Sequence, residues 1–318
     1  MPRGVLVLAA LGAAACAALP ERAPEPAAPS PAAVAAVRAS RSVPIRDRFA
    51  KARLQLLRAI NVERIAARMT PLTLDSVASL AAQRHAEAMA AGDFFSHYDL
   101  AGRAPYERLA ALGGTAHVVE NVFRREERTE DPLLDDDPWP RFDPGEAHAA
   151  LMASPPHQAA ILDPYRTGVG LGFAVDPDGR SIFVVEEFVA RHATLSAPAS
   201  VAAGRSGRVV GQVLAKNVRP LAIVLRKEPV GRSWSGGAPP AGPYDDGGSD
   251  PRVVPPWAFV VRADGAFVIE VGRDLPPGRW YGVLYVAPDH EVDLAMRRRR
   301  AYTGQGWPGA AFLLEVRS

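Results

Sequence analysis

Hydrophobic positions recur at spacings of three and four along the first half of the chain, and at alternate positions along much of the second. Phe49, Leu54, Leu57, Ile60 and Ile65 mark a first helix, which Pro71 interrupts. A second helix is expected from about Leu74 to Ala91, with Asp75 at its start and Val77, Leu80, Ala81, His85, Ala88 and Met89 on one face. Gly92 and Asp93 end it. In PYERLAAL (105–112), Pro105 suits the first position of a helix, and Gly113-Gly114 stops it. A short helix is expected over 145–153.

Two strands follow, Gly168–Val175 and Ser181–Val189, joined by the turn Asp176-Pro177-Asp178-Gly179. From about Thr194 the pattern becomes short β-type runs at Arg208–Leu214, Leu221–Arg226, Trp257–Val261, Ala266–Val271 and Trp280–Val286. Gly/Pro turns such as Pro276-Pro277-Gly278 separate them, as in a small β-sandwich. The fold class is therefore α+β followed by an all-β unit. Two stretches carry no periodicity. Residues 124–144 are acidic and proline-rich and read as a long surface loop, either a flap or disordered. Residues 230–256 hold a Gly/Pro-rich insertion that is expected to be mobile.

Composition changes this picture mainly at the N-terminus. Arg3 followed by the apolar run Val5–Ala15 reads as an export signal, too short to span a bilayer as a mature helix. Cys16, the single cysteine, follows small residues, as in bacterial lipoprotein signals. Lipidation of Cys16, ordinary cleavage near Ala15–Ala18 and an uncleaved anchor are the outcomes this allows. Residues 20–44 are a Pro/Ala-rich spacer. The organisation expected is a signal over 1–19, a linker over 20–44, a first domain over 45–191 and a β-sandwich over 192–318. Without Cys16 the folded part has no disulfide, and any metal would need nitrogen and oxygen ligands. A net charge of +2 with mixed signs argues against a nucleic-acid partner. The run Arg297–Arg300 reads as a solvated loop or strand edge.

The chemistry rests on four short motifs: His97 in FFSH, Glu120 in VVEN, Glu146 in GEAHAALMAS and His157 in SPPH. Two imidazoles and two carboxylates that converge in a cleft can hold a divalent ion or share a proton. The bland alternative is a mutually hydrogen-bonded polar cluster that knits the fold together. Arg64 and His85 read as helix-packing hydrogen bonders, and His117 and His148 as surface residues. Asn121 reads as a backbone bridge beside Glu120. Ser96 and Ser154 lie near histidines, but no G-x-S-x-G elbow accompanies them. Asp135-Asp136-Asp137 lacks the spacing of a Ca²⁺ loop.

The order of these motifs, with LLRAINVER (56–64), PLTLDSVASLAAQRHAEAMA (71–90), LMASPPHQAAILDPYRTGVGLGF (151–173) and FVVEEF (183–188), resembles the CAP superfamily of cysteine-rich secretory, antigen 5 and pathogenesis-related proteins. The likeness covers about 54–189 and is to the disulfide-free bacterial branch. It implies an α-β-α sandwich with a cleft carrying two His and two Glu, which map onto His97, Glu120, Glu146 and His157. Neutral imidazoles make His97 and His157 the expected ligands for Zn²⁺ or another divalent cation, with Glu120 and Glu146 as supporting or catalytic carboxylates. The chain departs from the branch at Leu151 and Gln158, where Trp and Arg are usual, and at Glu186, where Gln is common. The function expected is an extracytoplasmic binding module contacting an envelope polymer, a lipid or a protein, with no membrane contact except through a lipid anchor. The alternatives are a metal-dependent hydrolase using a Glu-activated water and a lipid-binding or structural adhesin.

Overall fold

Alternating glycines and a ridge of alanines set the spacing of the first domain. The computed structural model describes residues 5–9, 49–126, 142–229, 232, 237–244, 250–299, 304 and 306–318. Strand β4 (Gly168–Val175) turns Gly170 and Gly172 toward helix α2 (Ser76–Gly92). A Cβ on Gly170 would stand 2.1 Å from the Ala78 carbonyl carbon, and one on Gly172 2.2 Å from the Ala82 carbonyl oxygen. The helix answers with Ala78, Ala82 and Ala86, all buried, so its backbone rests directly on the strand. Gly170→Ala should therefore force helix and strand apart and cost about 3 kcal/mol, the upper end for overpacking, read as a lower urea midpoint. An unchanged midpoint would mean the contact is slack.

Asp75 caps α2 as expected, accepting from the Val77 and Ala78 amides at 3.1 and 2.9 Å. Its inner face is Ala78, Ala81, Ala82, His85, Ala86 and Met89, whereas Leu80 is exposed. Helix α1 (Ala50–Ala66) is likewise rotated from expectation: Ala52, Leu56, Ile60 and Arg64 point inward, and Leu54 and Ile65 face solvent. Helices α3 (Pro105–Ala111), α4 (Pro144–Met152) and α5 (Pro155–Ile161) complete the domain, each with Pro at its start. The sheet between the helical layers runs β1-β3-β5-β4-β2, with β1 Val5–Ala9, β2 Thr73–Leu74, β3 His117–Glu126 and β5 Ser181–Ala190. Of the expected signal, Val5–Ala9 is a strand antiparallel to β3; Ala10–Ala15, Cys16 and the linker lie outside the described residues. The first three residues of the expected 124–144 loop belong to β3. Residues 127–141, with Asp135–Asp137, lie outside the described residues.

Side chains alternate across the sheet. Phe123, Ile182, Val184 and Phe188 pack on one face with α1, α4 and α5. Val122, Phe183 and Val185 pack on the other with α2 and the Phe94-Phe95 pair.

In the second unit a sheet of Arg252–Val254 (β10), Val218–Lys227 (β9), Gly278–Pro288 (β13), Trp307–Arg317 (β14) and Ser200–Ala202 (β7), in that order, faces one of Val260–Val261 (β11), Ala266–Val271 (β12), Gly207–Val213 (β8) and Ala193–Ser196 (β6). Val209, Phe267 and Ile269 from one meet Ile223, Leu284 and Leu314 from the other. Two expectations fail here. Trp257 belongs to a turn of 3-10 helix (Pro256–Ala258), not to a strand. Of the arginine run, Arg297 and Arg298 form the last turn of helix α6 (Asp289–Arg298) and Arg299 caps it, where cations face the carbonyl end of the helix dipole; Arg300 lies outside the described residues.

The two units share a packed joint. Tyr106 of α3 stacks on Tyr281 of the sandwich with ring centroids 4.1 Å apart. Its hydroxyl donates to Glu228 at 2.6 Å. Glu107 accepts from Arg232 at 2.7 Å and also from Arg279. Tyr165 and Trp307 stack at 4.9 Å beside it.

Candidate functional site

The site begins where α2 stops. Asp93 takes a left-handed conformation (φ 43°), which turns the chain inward. Phe94 and Phe95 then fill the core beside α2, and Ser96 and His97 follow with no exposed surface. The His97 ring meets β3: Nδ1 lies 2.9 Å from Glu120 Oε1. An ionised carboxylate only accepts, so Nδ1 carries the proton and donates. Arg108 of α3 donates to the other Glu120 oxygen and to the His97 carbonyl, the latter at 2.6 Å. His85 of α2 stands 3.9 Å from Glu120, and Glu187 of β5 lies 3.8 Å from Arg108.

Burial alone would raise the Glu120 pKa, but the Arg108 guanidinium, with His85 and His97 beside it, outweighs burial and holds it at about 2. Burial and then the Arg108 charge push His85 down to about 4. Burial and the neighbouring Glu120 charge push Glu187 well up. The cluster thus holds one firmly ionised carboxylate and one that resists ionisation.

The other two motif residues lie across the sheet. Glu120 pairs with Glu187 and Asn121 with Glu186, so each adjacent pair sends one residue to each face. Asn121 donates to Glu186 at 3.1 Å and to the His157 carbonyl at 3.3 Å on the α5 side. Arg125, on that same face, pairs with Glu146 and lies over the Phe142 ring at 5.1 Å. Glu146 is exposed, its side chain 44% accessible. The structure thus brings His97 to Glu120 on the α2 face of the sheet, while Glu146, through Arg125, and the His157 carbonyl, through Asn121, meet side chains of the opposite face. The reason is the period of the strand, since VVEN serves both faces.

Other single residues also differ from expectation. His148 is buried, and His117 is a partly buried strand residue receiving Arg166 at 3.0 Å. Arg64 is the expected packing group, donating to the carbonyls of Thr70, Ile161 and Asp163. His85 does bond a backbone carbonyl, that of Ser96 at 2.8 Å, but it also borders Glu120. Arg108 and Glu187 were not singled out from the sequence. Glu187 left a signal: two adjacent acids in FVVEEF, a strand buried on both sides, place one carboxylate on each face. Arg108 left none, because its partners are remote in sequence.

The sandwich also enters the site. The Tyr244 ring meets His97 edge-on with centroids 5.4 Å apart, and Ser96 Oγ donates to the Pro240 carbonyl at 2.7 Å. The insertion expected to be mobile therefore packs, over Gly237–Tyr244, against the first domain. A cleft of about 520 Å³ lies elsewhere, between Arg124, Asp176 and Arg180, and none of the four motif residues lines it.

The model of the cysteine-rich secretory protein family, CAP, matches residues 57–188. That segment is a CAP domain.

The CAP domain is similar to an extracellular protein containing an SCP domain from Bacillus anthracis, with 20% identity and a TM-score of 0.34. That match covers 43% of this chain and 40% of the other. It is also similar to an outer surface protein from Borrelia burgdorferi, with 17% identity, a TM-score of 0.37, and coverage of 45% of this chain and 96% of the other. No curated protein matches the chain. Among the described residues, no helix is long and apolar enough to cross a membrane.

Proposed function

We propose that this protein is an exported envelope module that binds a ligand at the CAP domain's His97 and does not turn it over. One observation carries the reading. The His97 ring is fixed through Nδ1 by Glu120, while Nε2 is buried with no hydrogen-bond partner among the described residues. Buried polar atoms are nearly always paired, so a solitary ring nitrogen on an oriented imidazole invites a ligand. The carboxylates support binding over catalysis. Glu120 is committed to both His97 and Arg108 and stays ionised to about pH 2, which makes it a poor proton acceptor. Glu146 faces the opposite side of the sheet and is occupied by Arg125.

The donor set does not fit the divalent ion expected from two imidazoles and two carboxylates. Zn²⁺ takes three or four protein ligands. Here His97 and His157 are divided by the sheet, and no three His, Cys, Asp or Glu side chains are grouped for a metal among the described residues. Calorimetric titration of Zn²⁺ into the full chain and into His97→Ala/His157→Ala tests this. The expected result is no difference between the two proteins. Micromolar binding lost in the double variant would overturn the reading and restore the metal-dependent hydrolase.

A further inference from the structure

Four observations bear on what His97 meets. First, the approach to its ring is filled by the chain itself. Gly237–Tyr244, with the sequence GAPPAGPY, crosses from the sandwich without helix or strand structure and lies on Ser96 and His97. Second, its pattern of contact is that of a bound peptide rather than of a core element. Only Pro239 and Tyr244 are buried; the other residues remain exposed or half-exposed. A few buried anchors with a solvated remainder is how short segments dock on a surface.

Third, the contacts have a defined chemical signature. The Pro240 carbonyl accepts from Ser96 Oγ, and four residues later the Tyr244 ring meets the His97 imidazole edge-on. The Tyr244 hydroxyl reaches the Val118 carbonyl at 3.5 Å. Fourth, polar atoms of the cluster around His97 stay unpaired. His97 Nε2, His85 Nδ1, Arg108 Nε and both Glu187 carboxylate oxygens are buried with no hydrogen-bond partner among the described residues. A permanent interface would be expected to pair them, because each unpaired buried group is costly. An occupant with further donors and acceptors would displace one that leaves them bare.

We propose that the groove at Ser96 and His97 is a peptide-binding site and that Gly237–Tyr244 is its resident, self-supplied occupant. The ligand class is an extended Pro/Gly-rich peptide that places a backbone carbonyl four residues before an aromatic side chain. Such a peptide, offered by a partner protein, competes with the tethered segment. This rests on the proposed reading of His97 as the ligand-contacting group and names the ligand as peptide. The two fail separately: Zn²⁺ binding lost in the double variant overturns the reading of His97, whereas absent peptide shifts without Zn²⁺ binding overturn only the peptide assignment.

The test uses the full chain with Tyr244→Ala, which empties the aromatic position, and the synthetic peptide GAPPAGPY as probe. The readout is the ¹⁵N-labelled His97 ring signal. A short tether gives an effective concentration of about millimolar, so the peptide is titrated to about 10 mM. Saturable shifts of His97 are expected in the variant, with little change in the unsubstituted chain. The same peptide ending in Ala should bind about tenfold more weakly or less well still. No His97 shift in the variant, or equal shifts in both chains, would overturn the proposal. Where Tyr244→Ala fails to fold, Tyr244→Leu keeps most of the volume, lacks the ring, and carries the same test.

Discussion

Replacing Arg108 with methionine is expected to cost about 3–5 kcal/mol at pH 7, the usual loss when one member of a buried ion pair is removed. Arg108 is the group that outweighs burial at Glu120. It also satisfies the carbonyls of His97 and Arg103, at 2.6 and 3.0 Å. The pH dependence gives the sign. In the native protein Glu120 is held at about 2 against an ordinary 4.5, so its contribution is complete above about pH 4.5 and is lost as pH falls toward 2. Without Arg108, burial governs, and the Glu120 pKa rises above its ordinary value. The variant should therefore regain stability as pH falls, the opposite of the parent. Urea denaturation from pH 3 to 8 measures both trends, and Arg108→Met/Glu120→Gln should recover much of the loss at neutral pH. A variant with the parent's pH profile would show that Arg108 does not set the state of Glu120.

Glu186→Gln is expected to stabilise the protein at alkaline pH. Burial pushes this carboxyl up to about 7, with the hydrogen bond from Asn121 pulling partly the other way. A folded pKa above the unfolded one favours the protonated form, so the contribution is fully present below about pH 4.5 and is lost as pH rises through 7. Above that, the ionised group costs on the order of 3 kcal/mol. Glutamine keeps an acceptor for Asn121 and cannot ionise. The variant should match the parent near pH 4.5 and exceed it at pH 9 by roughly that amount, read from the urea midpoints. Equal midpoints at both pH values would show that Glu186 is solvated well enough to ionise freely.

Local signals in the sequence were legible, and the non-local ones were not. Asp75 and Pro105 announce their helices because capping and φ restriction act within a few residues. The order of the motifs pointed to the CAP domain because it reflects a whole arrangement of elements. The inner face of α1 does not follow from hydrophobicity, because Leu54 and Ile65 are hydrophobic yet exposed, while Arg64 turns inward to bond three carbonyls. Hydrophobicity alone does not register such bonds. The division of the four motif residues was readable in principle from the strand period, once VVEN is placed on a strand. The cover over His97 was not readable, since Tyr244 and His97 meet only through the docking of the two units.

Glu107 belongs to a helix of the CAP domain, is almost fully buried, and finds both of its arginines, Arg232 and Arg279, in the sandwich. Tyr106 beside it stacks on a sandwich tyrosine. A CAP domain of this kind separated from its sandwich would carry an acid and an aromatic ring with nothing opposite them. Recombination at the junction near residue 191 would have to move both sides of this contact together. Separating the two sides would leave Glu107 a buried carboxylate without its arginines, so the contact ties the stability of each side to the presence of the other.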